Sequence, residues 1–398
     1  MQGRLGYNFA MGKKAALIIE RADIVLGGAE RSVFDTAEAI SLIGYDVDIL
    51  AAKGQGQASN LHILCKNEHG KRTRIGAFGK ALKQHFSKNH YDIIHSFLPF
   101  DFADIYQPRG GSFPEATLRN AVSYQNAFVG WWKNTTAFVN SRRAELAGAE
   151  KKLCAKQGGP IVAALSKYVA WQFKRYYHLS NERLVIIPNG VKINTEVCKS
   201  EAERLQNLVP VRCDAEKDDK PVIFLFAANN FRLKGLKPLL KAISAANNNC
   251  ILMVAGSGEI SKYRNLAREL GIEDRVIFAG SVGNIQNAMS VCDAAVLPTF
   301  YDPASRFILE ALASGKPVIT TKFNGAADLF TDGRHGKVID KPENTAAMTE
   351  AIVYFCNRDN LRKASQAITE DKLKENISIE RVGKQLESLY KKIIERKR

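Results

Sequence analysis

Short apolar runs of strand length alternate with stretches of helical periodicity, and the alternation starts afresh half-way along the chain. The first series holds Ala15 to Ile19, a helix from about Ala29 to Ile43, then Asp46 to Leu50 and Asp92 to His95. The second holds Val222 to Ala228, Ile251 to Ala255, Arg275 to Phe278, Ala294 to Leu297 and Pro317 to Thr320, with helical segments between successive strands. Strands joined through helices pair in parallel, because each crossover returns the chain to the same end of the sheet. The pattern predicts an α/β protein with two doubly wound, Rossmann-like parallel-sheet domains. Residues 195–220 are polar and poor in pattern, with Asp214 to Lys220 reading as a solvated linker loop. The first domain is placed at 11–194, the second at 195–376, and an amphipathic terminal helix at 377–398 on the spacing of Ile379, Val382, Leu386, Leu389 and Ile393. Such sheets bind ligands at the carboxyl ends of their strands, so the cleft between the domains is the expected site.

Length and charge narrow the classes. A chain of 398 residues suits two domains of about 100–200 residues each. No apolar run approaches the ~20 residues that span a bilayer. Ala15 to Ile19 is followed at once by Glu20 and Arg21, unlike a secretory signal, and the first ten or so residues read as a loose leader with Met11 as an alternative start. Seven scattered cysteines without a Cys-x-x-Cys pair point to neither a disulfide framework nor a zinc site, which makes the cytoplasm the expected compartment. A net charge of +16 implies attraction to polyanions. Residues 1–190 hold 25 Lys and Arg against 15 Asp and Glu, so this half carries +10 of the total. Within it Lys71, Arg72, Arg74, Lys80, Lys83 and Lys88 are interleaved with Ile75, Phe78, Leu82 and Phe86 and with no acid. Residues 71–88 therefore predict a basic amphipathic helix suited to an anionic membrane surface, worth at most about 6 kcal/mol at about 1 kcal/mol per basic residue. The other reading is a solvated helix whose apolar face packs on the first domain. Nucleic acid is not the expected partner, since no binding motif accompanies the charge.

The chemistry concentrates in Asp302-Pro-Ala-Ser-Arg-Phe-Ile-Leu-Glu310, which runs on into Ala-Leu-Ala-Ser-Gly315-Lys-Pro-Val. Asp and Pro open a helix that the glycine stops. Two acids eight positions apart can face one ligand, and free N–H groups near Ser305 to Phe307 make an anion site. Asp302 alone also reads as a helix N-cap. Glu310 sits in an apolar run where a carboxylate has no evident partner, which a ligand hydroxyl would supply. Two other turns suit phosphate: Gly27-Gly28 after the first strand, and Arg232-Leu-Lys234-Gly235 after the first strand of the second series. Gly256-Ser257 follows another strand end and is either a nucleotide contact or a plain turn. Asp46-Val47-Asp48 reads as strand patterning, and no metal site is expected.

Taken together these segments resemble the retaining nucleotide-sugar glycosyltransferases of family 4, which have the GT-B fold. That family carries Glu-x7-Glu followed by Ala-x-Ala-x-Gly-x-Pro-Val, and this chain matches with Asp302 where the first Glu is expected. Gly-Gly-x-Glu at Gly27 to Glu30, the hinge signature Pro188-Asn189-Gly190-Val191 and the basic pair before Gly235 follow in family order across nearly the whole chain. The resemblance implies Glu310 on the nucleotide ribose, Asp302 on donor-sugar hydroxyls, and Arg232 and Lys234 on the diphosphate. It also implies Ala304, Ser305, Arg306 and Phe307 beneath the diphosphate, with Gly27 and Gly28 closing over it. Ser281 and Val282 would hold the base through backbone groups, with Gly256 and Ser257 beneath the nucleotide. Where many relatives have a His near the reacting carbon, this chain has Arg109, open to an anionic acceptor group, to the donor phosphate, or to solvent. No catalytic base is assigned, and none is needed if the departing phosphate takes the acceptor proton.

The expected function is metal-independent, retaining transfer of a hexose from a nucleotide-diphosphate sugar to a glycan or glycolipid, with no cofactor beyond the donor. Pro108-Arg-Gly-Gly-Ser112 is similar to the corresponding stretch of lipopolysaccharide core glucosyltransferases, which implies that class of acceptor at the inner face of the cell membrane. A GT-B hydrolase or epimerase would need a dedicated acid/base in the cleft. A catalytically silent GT-B binding protein would explain the shortened carboxylate at Asp302.

Overall fold

The computed structural model describes residues 12–22, 28–55, 58–65, 73–135, 141–192, 196–210, 220–246 and 250–397. Seven strands form the first sheet: β1 Lys14–Ala22, β2 Asp46–Gly54, β3 Leu61–Ile63, β4 Ile93–Ser96, β5 Ile105–Tyr106, β6 Ile161–Ala164 and β7 Leu184–Ile186. They lie in the order β3-β2-β1-β4-β5-β6-β7 with every pairing parallel. The second sheet orders β8 Val222–Ala227, β9 Cys250–Ala255, β10 Val276–Gly280, β11 Ala294–Leu297, β12 Val318–Thr321 and β13 Gly336–Ile339 as β10-β9-β8-β11-β12-β13, again all parallel. The predicted pair of doubly wound sheets is the observed architecture. β8 and β9 are continuous apolar runs because helices cover both faces of the sheet and leave no side for water. Strand order reverses between β1 and β4 in one sheet and between β8 and β11 in the other, so the loops leaving these strands frame the cleft.

One local expectation changes, and two others gain detail. The stretch 195–220 contains a helix, Lys199–Gln206, whose one fully buried residue, Leu205, packs into the second core; a single apolar anchor gives too little periodicity to read. Asp214 to Asp219 fall outside the described residues, as do Lys71, Arg72 and Gly27. The basic helix runs Ile75–Phe86 and buries Phe78 and Leu82 among Ile18, Leu50 and Phe100, so its apolar face is spent on the first domain while Lys80, Lys83 and Lys88 stay exposed. Asp48 lies in β2, where Lys14 at 2.9 Å, His62 at 3.3 Å and the Tyr91 hydroxyl at 2.6 Å take up its carboxylate.

The helix Ile379–Lys397 returns to the first sheet and packs Val382, Leu386, Leu389, Tyr390 and Ile393 into the core under β1 and β2. The second sheet is thus inserted between two crossings of the chain, which run side by side: Val191 N–H donates to the Ile377 carbonyl at 2.9 Å.

Candidate active site

The loop that carries the first acid is held residue by residue by the opposite domain. The Tyr301 hydroxyl donates to the Gly110 carbonyl at 3.0 Å and lies 3.1 Å from the Gln172 side-chain oxygen. Ser166 Oγ donates to the Pro303 carbonyl, and Asn189 Nδ2 to the Ala304 carbonyl, each at 2.9 Å. Gly111 must be glycine here: its φ is +67°, and a Cβ would fall 1.9 Å from the Tyr301 hydroxyl. Asp302 emerges from this clasp. Its Oδ2 accepts from Lys234 Nζ at 2.6 Å and its Oδ1 accepts from the Ala304 N–H at 3.2 Å, while Lys234 also donates to the Tyr301 carbonyl at 3.2 Å. The acid and the base of the two motif segments therefore meet.

Asp302 is not the helix cap. The helix spans Arg306–Ala313, and Ser305 caps it by accepting from the Ile308 N–H. Ser305 N–H is itself bound to Asn324 Oδ1 at 3.2 Å, which leaves the N–H groups of Arg306 and Phe307 without a partner among the described residues. Three residues, Pro303 to Ser305, separate the acid from the helix because Gly325 N–H bonds the Asp302 carbonyl and draws the loop onto the next strand.

Glu310 has the partner that its apolar surroundings concealed. Arg306, one turn earlier, reaches its Oε1 at 3.4 Å, and the same guanidinium ion-pairs with Asp35 on the first-domain helix Gly28–Leu42. Burial raises the pKa of Glu310 despite the pull of Arg306 and Arg31. Glu310 lines a pocket of ≈ 210 Å³ with Lys192, Gln286, Ser314 and Lys316.

The remaining predicted residues divide. Gly256 has φ +131° and packs against the Ala228 carbonyl, where a Cβ would approach to 1.8 Å; its N–H bonds the Gly280 carbonyl. This close approach draws the loops after β8, β9 and β10 together, and on them Ser257 and Ser281 are exposed and Val282 half-buried. Arg232 turns the other way: it donates to the Asn120 carbonyl at 3.0 Å and to Ser123 Oγ, and stacks 3.7 Å from the ring of Tyr124, all in the first domain. Arg109 is half-buried, and its guanidinium already has partners within the first domain and the hinge. It donates to Asn189 Oδ1, to Thr36 Oγ1 at 2.9 Å and to the Ser32 carbonyl at 3.3 Å, over the ring of Phe97. Burial and the nearby charge of Arg306 bring its pKa down to about 9. His95 is likewise structural; burial and Arg109 hold its pKa down to about 3, and Nδ1 lies 2.8 Å from the Tyr390 hydroxyl.

Two family profiles match the two halves of the chain: "Glycosyltransferase Family 4" over residues 26–195 and "Glycosyl transferases group 1" over 212–372. The chain belongs to glycosyltransferase family 4. Among its relatives, the lipopolysaccharide glucosyltransferase WaaG of Escherichia coli strain K12 is 22% identical over 350 residues, 85% of this chain and 88% of WaaG. A crystal structure of WaaG superposes with a TM-score of 0.73 at 18% identity, covering 94% of this chain and 99% of that one. HepE from Anabaena in complex with UDP-glucose gives 0.65 at 15% identity, over 95% and 99%. These likenesses establish the GT-B fold, and family 4 membership makes the chain a glycosyltransferase.

Within the family 4 frame, the cleft also depends on residues to which the sequence assigns no role in the site. Asp35 and Asn189 tie the acid-bearing loop and its helix to the first domain, and Asn120, Ser123 and Tyr124 receive Arg232. Asn189 had a signal, its hinge signature. Asp35 had none, being one acid on an ordinary amphipathic helix.

Proposed function

We propose that this chain moves a hexose from a nucleotide-diphosphate sugar to a hydroxyl of a glycan or glycolipid, of the lipopolysaccharide core class, with retention at the anomeric carbon and without a metal ion. The Lys234–Asp302 pair at 2.6 Å, at the loop that the first domain clasps, carries the reading, because a cation and a carboxylate side by side suit a diphosphate and its sugar. The breaking anomeric C–O bond leaves its electron pair on the diphosphate, whose charge Lys234 and the N–H groups of Arg306 and Phe307 meet. Asp302 accepts hydrogen bonds from the sugar hydroxyls and holds the ring in place. The acceptor oxygen forms the new bond on the face the phosphate leaves, and its proton passes to the departing phosphate oxygen. Arg232 joins the diphosphate by exchanging its first-domain partners for it, and Glu310 accepts from the ribose once Arg306 releases it. The glucosyltransferase name of WaaG supports the acceptor class, and the UDP-glucose complex of HepE supports a nucleotide-hexose donor.

Incubating the protein with radiolabelled UDP-, GDP- and ADP-hexoses and a core glycolipid tests this. Label should enter the glycolipid with retained configuration and continue to do so in EDTA. Free sugar alone would make the chain a hydrolase, and loss in EDTA with rescue by Mg²⁺ or Mn²⁺ would overturn the metal-independent route.

We place the enzyme on the cytoplasmic face of a membrane. Among the described residues no helix is long and apolar enough to cross one. The exposed Lys80, Lys83 and Lys88 offer charge, and Phe128, Trp131 and Trp132, 73%, 63% and 51% exposed on the helix Ala127–Thr135, offer aromatic rings for the interface. Binding to anionic vesicles should fall steeply with salt and weaken when the three lysines are neutralised; unchanged binding would leave the basic helix a solvated one.

A further inference from the structure

A second pocket, of ≈ 340 Å³, opens on the far side of Arg232, and neither Lys234 nor Asp302 lines it. Its walls come from both domains. The first contributes the turn Ser123 to Gln125, in which Gln125 has a left-handed φ of +55°. The second contributes Lys237, from the helix Leu236–Ala245, and Lys262, Tyr263 and Glu269 from the helix Ile260–Glu269. The floor is aromatic, with Phe300 2% and Tyr263 5% exposed. Phe300 stands two residues before Asp302, and its N–H is fixed by the Leu233 carbonyl at 2.9 Å. The pocket therefore borders the strand end that carries the proposed sugar-binding acid.

Charge in the pocket is one-sided. Arg232 borders the pocket, held in the present arrangement by Asn120, Ser123 and Tyr124, and Lys237 and Lys262 are the cations that stay with the pocket when the diphosphate draws Arg232 away. Lys237 and Lys262 are exposed and have no ion-pair partner among the described residues. Glu269 is the one acid among the lining residues, so three cations stand against it. A cavity of this size, with an aromatic floor and a few convergent charges at the rim, has the make-up of a small-ligand site. Lysine meets phosphate or carboxylate as a point charge that tolerates varied geometry.

We propose that this pocket binds an anionic sugar unit of the acceptor, one bearing a phosphate monoester or a carboxylate, and so selects charged acceptors and orients them toward Asp302. This rests on the glycosyltransferase reading above. Because two domains build the walls, the bound sugar also bridges one domain to the other.

Glucose 6-phosphate, glucuronate and glucose serve as probes of the free protein by ligand-observed NMR, with UDP binding followed separately by calorimetry. Glucose 6-phosphate should bind in the presence of saturating UDP, and glucose should not. The double substitution Lys237→Glu and Lys262→Glu should weaken it by about tenfold or more, about 1.4 kcal/mol, with UDP affinity and melting temperature unchanged. Binding of glucuronate with the same sensitivity would assign the site to anionic sugars at large, and its absence to phosphorylated ones. Displacement of glucose 6-phosphate by UDP, equal binding of glucose, or indifference to the charge reversal would each overturn the proposal. If the reversal disturbs melting, Lys237→Ala with Lys262→Ala decides by the same criteria. Failure of UDP, GDP and ADP alike to bind would instead sink the donor reading itself, so the two failures are distinct.

Discussion

Buried carboxylates in the first domain and half-buried ones in the cleft are kept in opposite ways. In the first domain, Glu115 accepts from the hydroxyls of Tyr168 and Tyr176 and from Arg119 Nε, each at 2.6 Å. Glu150 accepts from Tyr106 at 2.8 Å, Tyr177 at 2.6 Å and the Phe113 N–H at 2.9 Å. Every partner belongs to the same domain. Burial pushes Glu115 up, but the three donors outweigh it and hold the pKa below the ordinary value, whereas Glu150, with no cation among its donors, is raised to about 7. In the cleft, Asp302 and Glu310 each lean on one cationic side chain, Lys234 or Arg306. A saturated acid is finished structure; an acid that leans on a single cationic side chain can exchange that partner for a ligand. Burial alone does not mark function, and the exchangeability of the partner does.

The contrast can be broken by substitution. Lys234→Ala should produce the largest effect, a loss of roughly 10²–10³ in transfer rate with the fold intact, as for removal of a group that stabilises transition-state charge. Near-native turnover would return the Lys234–Asp302 pair to the structural class. Asp302→Asn should cost about 10- to 100-fold in turnover, the value of a charge-assisted hydrogen bond, while affinity for the nucleoside diphosphate barely changes. Because Ser305 caps the helix and asparagine still accepts from the Ala304 N–H, melting should hardly move. Wild-type rates in this variant would leave the sugar-binding role unassigned. Glu115→Gln should do the reverse, lowering stability by about 1–3 kcal/mol in urea unfolding without changing transfer per folded molecule. A Glu115→Gln protein of full stability and poor turnover would erase the division between the two regions.

The sequence made the paired sheets legible because β8, β9 and β11 are long or wholly apolar and their helices amphipathic. It hid β3, β5 and β7, which are two or three residues long and leave no period to count. The site was legible where chemistry is local: Lys234 and Asp302 belong to motifs, and they meet. What stayed hidden depends on the opposite domain. Asp302 looked like a cap because Asp-Pro opens helices, but strand-like bonds to Phe323 and Gly325 claim its backbone first. Glu310 looked unpartnered because Arg306 lies one turn earlier, on the same helix face, where an apolar run drew the attention. Arg109, between Pro108 and Gly110, reads as a presented side chain, and only the packing of the hinge against the helix Gly28–Leu42 gives it partners.

The returning helix Ile379–Lys397 has a consequence for how the protein is made. Tyr390 and Leu386 are wholly buried beneath the first sheet, and the Tyr390 hydroxyl lies 2.8 Å from the buried His95 ring. A ribosome delivers β1 to β7 first, yet that core lacks its last wall until some two hundred further residues have emerged. The domain translated first is the domain completed last, and during that interval it exposes an apolar face that a chaperone must cover or the nascent second domain must shield.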